Sequence, residues 1–216
     1  MKTDNTRLMH HETNGPLTHL LNNLSGEEGK IWLRELKKFL RKEEAWKNKY
    51  TSLKNQGIFD INPVNTKKSD FFKAGKNSIT KLWLSHSFKN IFLPLADETI
   101  ISKGSKVEKL ELTKSINDFQ IQEEINGKVD TPTDIAATII SLTSAQSKGE
   151  DGVLLNNEYE TNIFYFKKGE RLFRVYVYWS ADRQKWSCRC YEADDRTWGT
   201  GSCVFTAATE TQSSEA

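Results

Sequence analysis

The sequence has only three cysteines and no long run of apolar residues. An odd and small number of cysteines does not fit the disulfide framework of a secreted domain and favours a reducing compartment. No stretch approaches the roughly 20 apolar residues that a membrane-spanning helix needs. The first residues, MKTDNTRLMHHETNG, are polar where a signal peptide has an apolar centre. We therefore expect a cytoplasmic protein without a membrane partner.

The sequence also lacks the common catalytic and cofactor motifs. It contains no G-x-S-x-G elbow, no glycine loop for phosphate, no H-E-x-x-H and no kinase-type set. Cys188 and Cys190 lie two positions apart in a predicted strand, and Cys203 lies in a later strand. Structural zinc sites usually take paired ligands from tight turns, so this spacing favours buried thiols over metal ligands. We predict no metal and no cofactor, and a non-catalytic role is favoured over an enzyme.

What the sequence does contain supports a folded core. Its 216 residues are 37% hydrophobic and 11% aromatic, which is enough to bury a sizeable core. Residues 1–16 and 208–216 have little apolar content, and we expect flexible ends there. Between them we predict a basic helical region at residues 17–94 and an α+β domain at residues 95–207. Residues 47–78 are expected to form a loop-rich connection with short elements.

One amphipathic helix is predicted within SGEEGKIWLRELKKFLRKEEAW, residues 25–46. Ser25 and Glu28 have the spacing of a capping box, which places the start of the helix at Ser25. Apolar residues recur at helical spacing on one face, namely Trp32, Leu36, Phe39 and Leu40. The opposite face is cationic and carries Lys30, Arg34, Lys37, Lys38, Arg41 and Lys42. The pattern therefore predicts one apolar face and one basic face.

This helix belongs to a strongly basic part of the chain. The overall formal charge is +2, but residues 1–29 carry −2, residues 30–90 carry +10 and residues 91–216 carry −6. Concentrated positive charge is typical of proteins that bind a polyanion, and it also permits docking on the protein's own acidic part. The sequence leaves both interpretations open.

The α+β domain is predicted to hold a C-terminal antiparallel sheet of about four strands, packed by one helix. Thr131 and Pro132 supply an N-cap and a first-turn proline, so we predict a helix from Thr131 to Lys148. The segment before it, which includes Phe119 and Ile121, alternates and predicts strands in a mixed middle region. The later strand patterns are joined by short turns, which predicts antiparallel neighbours.

Strand alternation separates two faces of the predicted sheet. One face is apolar, is expected to lie under the helix, and carries Phe173, Val175, Val177, Trp179, Trp186, Cys188 and Cys190. The other, which we name the Arg–Tyr face, carries Arg174, Tyr176, Tyr178, Arg189 and Tyr191. Cations beside flat rings neutralise phosphates and stack bases of single-stranded nucleic acid. Structural cross-strand packing is the alternative interpretation of these residues.

A second candidate site is the loop from Asp194 to Gly201. It combines carboxylates, a cation, an aromatic ring and glycines between two predicted strands, a setting in which binding and catalytic residues are common. Its residues are Asp194, Asp195, Arg196 and Trp198. This loop supports the alternative hypothesis of a small hydrolase or ligand-binding enzyme.

Parts of the sequence resemble a known group of proteins. The segments LSGEEGKIWLRELKKFLRKE, LWLSHSFKNIFL and GEDGVLLNNEYETNIFYF, with VYVYW further on, are similar to conserved bacterial proteins of unknown function. The resemblance extends over most of residues 20–206 and implies a bacterial, cytoplasmic protein with a compact fold. It implies no activity, no ligand and no catalytic residue.

The leading hypothesis is a non-catalytic binding or interaction protein. The basic helix and the Arg–Tyr face would contact nucleic acid or an acidic protein. The sequence predicts neither the identity of that partner nor the oligomeric state.

Overall fold

The computed structural model describes residues 18–26, 29–40, 52–73, 82–157 and 159–208. The chain falls into two compact units, Met1–Thr51 and Ser52–Ala216. The boundary between the units lies inside the region at residues 17–94 that the sequence predicts as basic and helical. That region therefore contributes to both units. It is not helical throughout and is not mainly loop between 47 and 78, because Leu53–Ile61, Val64–Lys67 and Leu82–Leu84 are strands.

Two helices make up the described part of the first unit. Residues 18–25 form α1, and Gly29–Leu40 forms α2. The hydroxyl of Ser25 donates to the carbonyl oxygens of Leu21 and Asn22 at 2.8 and 3.2 Å. Serine hydroxyls back-bond in this way to the preceding helical turn. The predicted helix start at Ser25 is therefore wrong, because Ser25 ends α1 and a separate helix begins at Gly29.

The second unit contains strands and short helices. The strands are β1 Leu53–Ile61, β2 Val64–Lys67, β3 Leu82–Leu84, β4 Thr99–Ser102, β5 Ser105–Leu112, β6 Ile116–Asn117, β7 Asn162–Lys168, β8 Arg171–Ser180, β9 Lys185–Glu192, β10 Thr197–Trp198 and β11 Cys203–Ala207. The α-helices are α3 Lys68–Phe71, α4 Asp118–Glu124 and α5 Pro132–Ala145. A π-helical turn, Phe88–Phe92, and a 3₁₀ turn, Leu93–Leu95, follow β3. None of the described helices is long and apolar enough to span a bilayer.

Seven strands form one mixed sheet in the order β1-β5-β11-β7-β8-β9-β3. Short turns make β7, β8 and β9 antiparallel neighbours, as predicted. The prediction of about four antiparallel strands is wrong, because β1, β5 and β3 also join the sheet and the β11–β7 and β3–β9 pairs are parallel. β11 does not pair with β9 but lies between β7 and β5. Only a tight hairpin turn forces consecutive strands to pair, and no such turn joins β9 to β11.

Helix α5 lies in the main buried core. Thr131 caps the helix by accepting a hydrogen bond from the backbone N–H of Asp134 at 3.1 Å, and Pro132 occupies the first turn. The side chains of residues 135–143 are all buried. The apolar ones among them share one cluster with the sheet face that carries Val175. The structure therefore confirms the predicted start of the helix and the side of the sheet that it shares, but the helix ends at Ala145 and not at Lys148.

The opposite face of the sheet is partly covered by α4. Asn117 and Gln120 form a capping box at the start of this helix, with hydrogen bonds of 2.9 and 3.0 Å. The prediction of strands around Phe119 and Ile121 is therefore wrong, since the cap starts a helix there. Ile121 is buried in a second apolar cluster with side chains of β5, β7 and β11. The Arg–Tyr face continues beside this cluster on β8 and β9.

Candidate nucleic-acid interface

The structure brings the five residues of the Arg–Tyr face together across β8 and β9. Arg174 pairs with Tyr191 and Tyr176 pairs with Arg189 in the antiparallel register. Directly paired residues point to the same side of a sheet, so the alternation of the sequence places all five correctly. The edge strand β3 adds Trp83, which lies in register with Ser187 of β9. The sequence reasoning missed Trp83.

The rings of this face form a continuous row. The ring centroid of Tyr176 lies 6.2 Å from that of Tyr178 and 6.1 Å from that of Tyr191, and the planes are 26° and 24° apart. Trp198 of β10 meets Tyr176 edge-on at 5.4 Å. Tyr191 is 41% exposed, while Tyr176, Tyr178 and Trp198 are half-buried. The row is therefore packed within the protein but open to a ligand along its outer side.

At the β3 end of the row, arginines lie against the rings. The guanidinium carbon of Arg189 is 5.4 Å from the ring centroid of Tyr178 and 5.5 Å from that of Trp83. Nη2 of Arg189 also donates to the hydroxyl of Tyr178 at 2.9 Å. Arg183 lies 5.1 Å from the ring centroid of Trp83. Cation–π contacts of this kind fix a guanidinium while leaving its charge in place.

At the other end of the row, Arg174 is 3% exposed and forms a buried ion pair. One of its terminal nitrogens contacts the carboxylate of Asp118, and the other lies 3.2 Å from the carboxylate of Asp194. Its guanidinium carbon is 5.4 Å from the ring of Trp198 and 6.0 Å from the ring of Tyr191. Two protein carboxylates thus offset the charge of Arg174, and the residue positions the adjacent rings.

Asp118 is the centre of this buried network and is fully buried itself. Besides the contact with Arg174, its carboxylate accepts hydrogen bonds from the hydroxyl of Tyr165 and from Nε1 of Trp198, each at 2.7 Å. It also accepts the backbone N–H of Asp194 at 3.0 Å. A buried carboxylate needs such a set of donors, because an unpaired buried charge costs several kcal/mol. One side chain of α4 therefore fixes β7, β8 and the Asp194 loop together.

The pKa shifts follow from these contacts. A hydrogen bond from Arg174 holds the pKa of Asp194 below its usual range. Burial lowers the pKa of Arg174, but the contacts with Asp194 and Asp118 outweigh that effect and raise it. Burial, reinforced by the charge of Asp118, raises the pKa of Tyr165. Burial also raises the pKa of Tyr176. These groups therefore keep their ordinary charge states at neutral pH.

The arginines of the second unit differ in their acidic partners. Arg171 pairs with Glu192, and Arg196 lies 3.6 Å from Asp194. Arg183 and Arg189 have no carboxylate within 4.0 Å among the described residues. Unmatched positive charge on the Arg–Tyr face is therefore concentrated at the β3 end, beside Trp83.

The basic face of α2 is a separate surface in the first unit. Lys30, Arg34 and Lys37 are exposed on this helix. Together with Leu33 they line a shallow groove of about 260 Å³. The side chain of Lys38 and the predicted contacts Arg41 and Lys42 lie outside the described residues. The described part of α2 thus presents a basic surface, as its sequence pattern predicts, but Trp32, Phe39 and Leu40 of the predicted apolar face are exposed as well.

The loop of the alternative hypothesis is largely engaged in the Asp118 network. Asp194 pairs with Arg174, and Trp198 donates to Asp118. The backbone N–H of Arg196 donates to the carboxylate of Asp194 at 2.9 Å, while the side chains of Asp195 and Arg196 are exposed. A lowered pKa at Asp194 is the opposite of what a general acid requires. This geometry makes the loop a support for the aromatic row.

The cysteines of the second unit are buried, and its open groove lies beside α5, away from the Arg–Tyr face. Cys188, Cys190 and Cys203 are buried free thiols, and burial raises the pKa of Cys190 to about 12 and that of Cys203 to about 11. Among the described residues, no group of three or more His, Cys, Asp and Glu side chains is placed to hold a metal ion. An open groove of about 520 Å³ lies between β2, α3 and α5 and includes Ser141 and Asp70.

No family model, no curated protein and no solved structure matches the chain. The resemblance to bacterial proteins of unknown function, and with it the cytoplasmic location, stays a prediction. Function must therefore be inferred from the residues of the Arg–Tyr face and their contacts.

Proposed function

We propose that this protein is a non-catalytic protein that binds single-stranded nucleic acid with the Arg–Tyr face, extended at its edge by Trp83. One observation supports this proposal above the others. A continuous row of aromatic rings ends in two guanidiniums that have no carboxylate partner among the described residues. Aromatic platforms beside cations are the usual means of binding unpaired nucleotides without sequence preference.

The aromatic rings supply the larger part of the expected affinity. Stacking of a base on an aromatic side chain contributes about 1–3 kcal/mol. Tyr191 is the most exposed ring of the row, and Tyr178 and Trp83 flank the stacked guanidinium of Arg189. An acidic protein would use the cations but would gain little from a row of flat rings. The chemistry of the face therefore favours nucleic acid over an acidic protein, the other partner that the sequence suggests.

The basic face of α2 is proposed as a second, electrostatic contact. Its exposed cations offer phosphate contacts that carry no base information. If all six predicted cations of this helix met phosphates of a single strand, the log–log dependence of affinity on salt would steepen by about 4. Measurements at several salt concentrations therefore separate the contribution of α2 from stacking on the Arg–Tyr face.

Fluorescence anisotropy with labelled oligo-dT and oligo-U at low salt tests the proposal. We expect Tyr191→Ala, Tyr178→Ala and Trp83→Ala each to weaken binding about 5- to 150-fold, because each removes a stacking ring. Tyr159→Ala is the matched control, since this ring is 92% exposed in the connection before β7 and should not matter.

Two results would contradict the proposal. The first is no binding of either oligonucleotide by the full chain at low salt. The second is an equal loss of affinity in Tyr159→Ala and Tyr191→Ala. Binding of an acidic protein without any binding of oligonucleotide would instead assign the basic surfaces to a protein partner.

A further inference from the structure

We infer that the β3 edge of the Arg–Tyr face is a phosphate-binding subsite, formed by Arg183 and Arg189 around Trp83. This inference rests on the proposed function, and it assigns the two components of a nucleotide to different parts of the face. Phosphates would contact the arginines at the sheet edge, and bases would stack on the tyrosines of β8 and β9.

Arg189 provides a fixed guanidinium at this edge. Its guanidinium carbon lies within 5.5 Å of the ring centroids of both Tyr178 and Trp83, and Nη2 is held by the hydroxyl of Tyr178. Nε of Arg189 is buried and has no hydrogen-bond partner among the described residues. A planar guanidinium that is held by rings loses little freedom when it binds a phosphate oxygen. The guanidinium of Arg189 is therefore preorganised at this edge by the two rings that hold it.

Arg183 brings a second cation to the same indole. It is exposed, it lies in the turn between β8 and β9, and its guanidinium carbon is 5.1 Å from the ring centroid of Trp83. Asp182 precedes it in the turn, yet no described carboxylate comes within 4.0 Å of either guanidinium. Two like charges beside one ring repel each other, and a phosphate between or beside them removes that repulsion.

Ser187 adds an independent observation that points to a ligand at this place. Its side chain is fully buried on β9, in register with Trp83 on one side and Tyr178 on the other. Its hydroxyl has no hydrogen-bond partner among the described residues. Buried polar groups without a partner are uncommon, and a bound water or ion is one of the explanations for them. The unused hydroxyl therefore belongs to the residue between Trp83 and Tyr178, the two rings that the unmatched arginines contact.

At the opposite end of the row, the positive charge is matched by carboxylates. Arg174 is already matched by Asp118 and Asp194, and the side chains of Asp194 and Asp195 stand at or near the surface. These carboxylates would repel a phosphate. The charge distribution along the face thus gives the ligand an orientation, with its backbone at β3 and its bases toward Tyr191.

The test compares two oligonucleotides with the same bases, one with a phosphodiester backbone and one with a neutral methylphosphonate backbone. For Arg183→Ala we expect about a tenfold loss of affinity for the phosphodiester strand, as for a lost charge-assisted hydrogen bond. The log–log salt slope should become less steep by about 0.7 for the phosphate contact that is lost. Affinity for the methylphosphonate strand should stay within about twofold, because that strand carries no phosphate charge.

Arg189→Lys and Arg171→Ala complete the test. Arg189→Lys keeps the charge but loses the planar fork, so affinity for the phosphodiester strand should fall while the salt slope stays unchanged. Arg171→Ala is the control, because this exposed arginine already pairs with Glu192. Thermal unfolding of each variant verifies that the fold is retained.

Four outcomes can be distinguished. The inference is overturned if Arg183→Ala and Arg189→Lys weaken both oligonucleotides equally, since the arginines would then contact bases. It is also overturned if neither variant changes binding of the phosphodiester strand. If a 5′-mononucleotide binds as tightly as the phosphodiester strand, the subsite would be assigned to free nucleotides instead of a strand. If the unmodified protein binds neither oligonucleotide, the proposed function itself fails.

Discussion

Replacing Asp118 with alanine should destabilise the second unit by about 3–5 kcal/mol, the range for breaking a buried ion pair from one side. Asp118 is fully buried and is the common acceptor for Arg174, Tyr165 and Trp198. Without its carboxylate, the 3% exposed Arg174 keeps only the carboxylate of Asp194 and one backbone carbonyl as partners. An uncompensated charge would then remain buried at the end of the aromatic row.

The expected loss of stability follows from the groups that lose their hydrogen-bond acceptor. The hydroxyl of Tyr165, Nε1 of Trp198 and the backbone N–H of Asp194 each lose a hydrogen bond worth roughly 1 kcal/mol. These losses are not additive with the loss of the ion pair, because all four contacts share one carboxylate. We therefore expect about 4 kcal/mol, which corresponds to a decrease in Tm of about 10 °C for a unit of this size.

Urea unfolding followed by tryptophan fluorescence measures this loss. Asp195→Ala is the matched control, because its side chain is exposed and a surface change of this kind usually costs less than about 0.5 kcal/mol. A double-mutant cycle of Asp118→Ala with Tyr165→Phe should give a coupling of at least about 0.5 kcal/mol. A loss below about 1 kcal/mol in Asp118→Ala would show that water resolvates Arg174, and it would refute the assignment of Asp118 as the centre of a buried network.

Two further predictions concern the effect of glycine substitutions on stability and the dependence of stability on pH. Gly149→Ala should destabilise the second unit by more than about 2 kcal/mol, because Gly149 has φ +73° and an added Cβ would lie 2.3 Å from the ring of Trp179. Gly169→Ala, at φ +60° with no atom within 4 Å of the added Cβ, should cost only about 1 kcal/mol, and equal losses in a urea titration would contradict the steric argument. Because the pKa of Asp194 is lowered by Arg174 in the folded state, its contribution to stability is present above the unfolded pKa of about 3.9 and is lost as pH falls through the folded pKa. As pH falls from about 5 to 2, the urea concentration at the unfolding midpoint should therefore decrease less steeply in Asp194→Asn than in the natural sequence. The same pH dependence in both proteins would argue against the ion pair.

The local sequence pattern predicts the parts of the fold that depend on contacts between residues close together in the chain. The alternation of Arg174, Tyr176 and Tyr178 predicts their shared face, because a strand directs every second side chain to the same side. Thr131 and Pro132 likewise predict the start of α5, since capping acts within one turn. These two features define the Arg–Tyr face and the core behind it.

The contacts that complete the site come from long-range pairing and could not be predicted locally. Trp83 belongs to a strand of only three residues, and it joins the face because β3 pairs in parallel with β9, far along the chain. Asp118 follows an N-cap and had no visible role in the sequence, yet it contacts Arg174 across 56 positions. A local sequence pattern cannot predict either pairing, because both join residues that lie far apart in the chain.

The position of β11 in the sheet has a consequence for how the protein is made. β11 lies between β5 and β7, and it alone connects the pair β1–β5 to the group of β7, β8, β9 and β3. All six other strands leave the ribosome before Cys203–Ala207 does. Until then, β5 and β7 each present an unpaired edge, and exposed edges of this kind are templates for aggregation. A stop codon or a proline in β11 would therefore leave two separate half-sheets, and chaperones would be needed most in the last moments of synthesis.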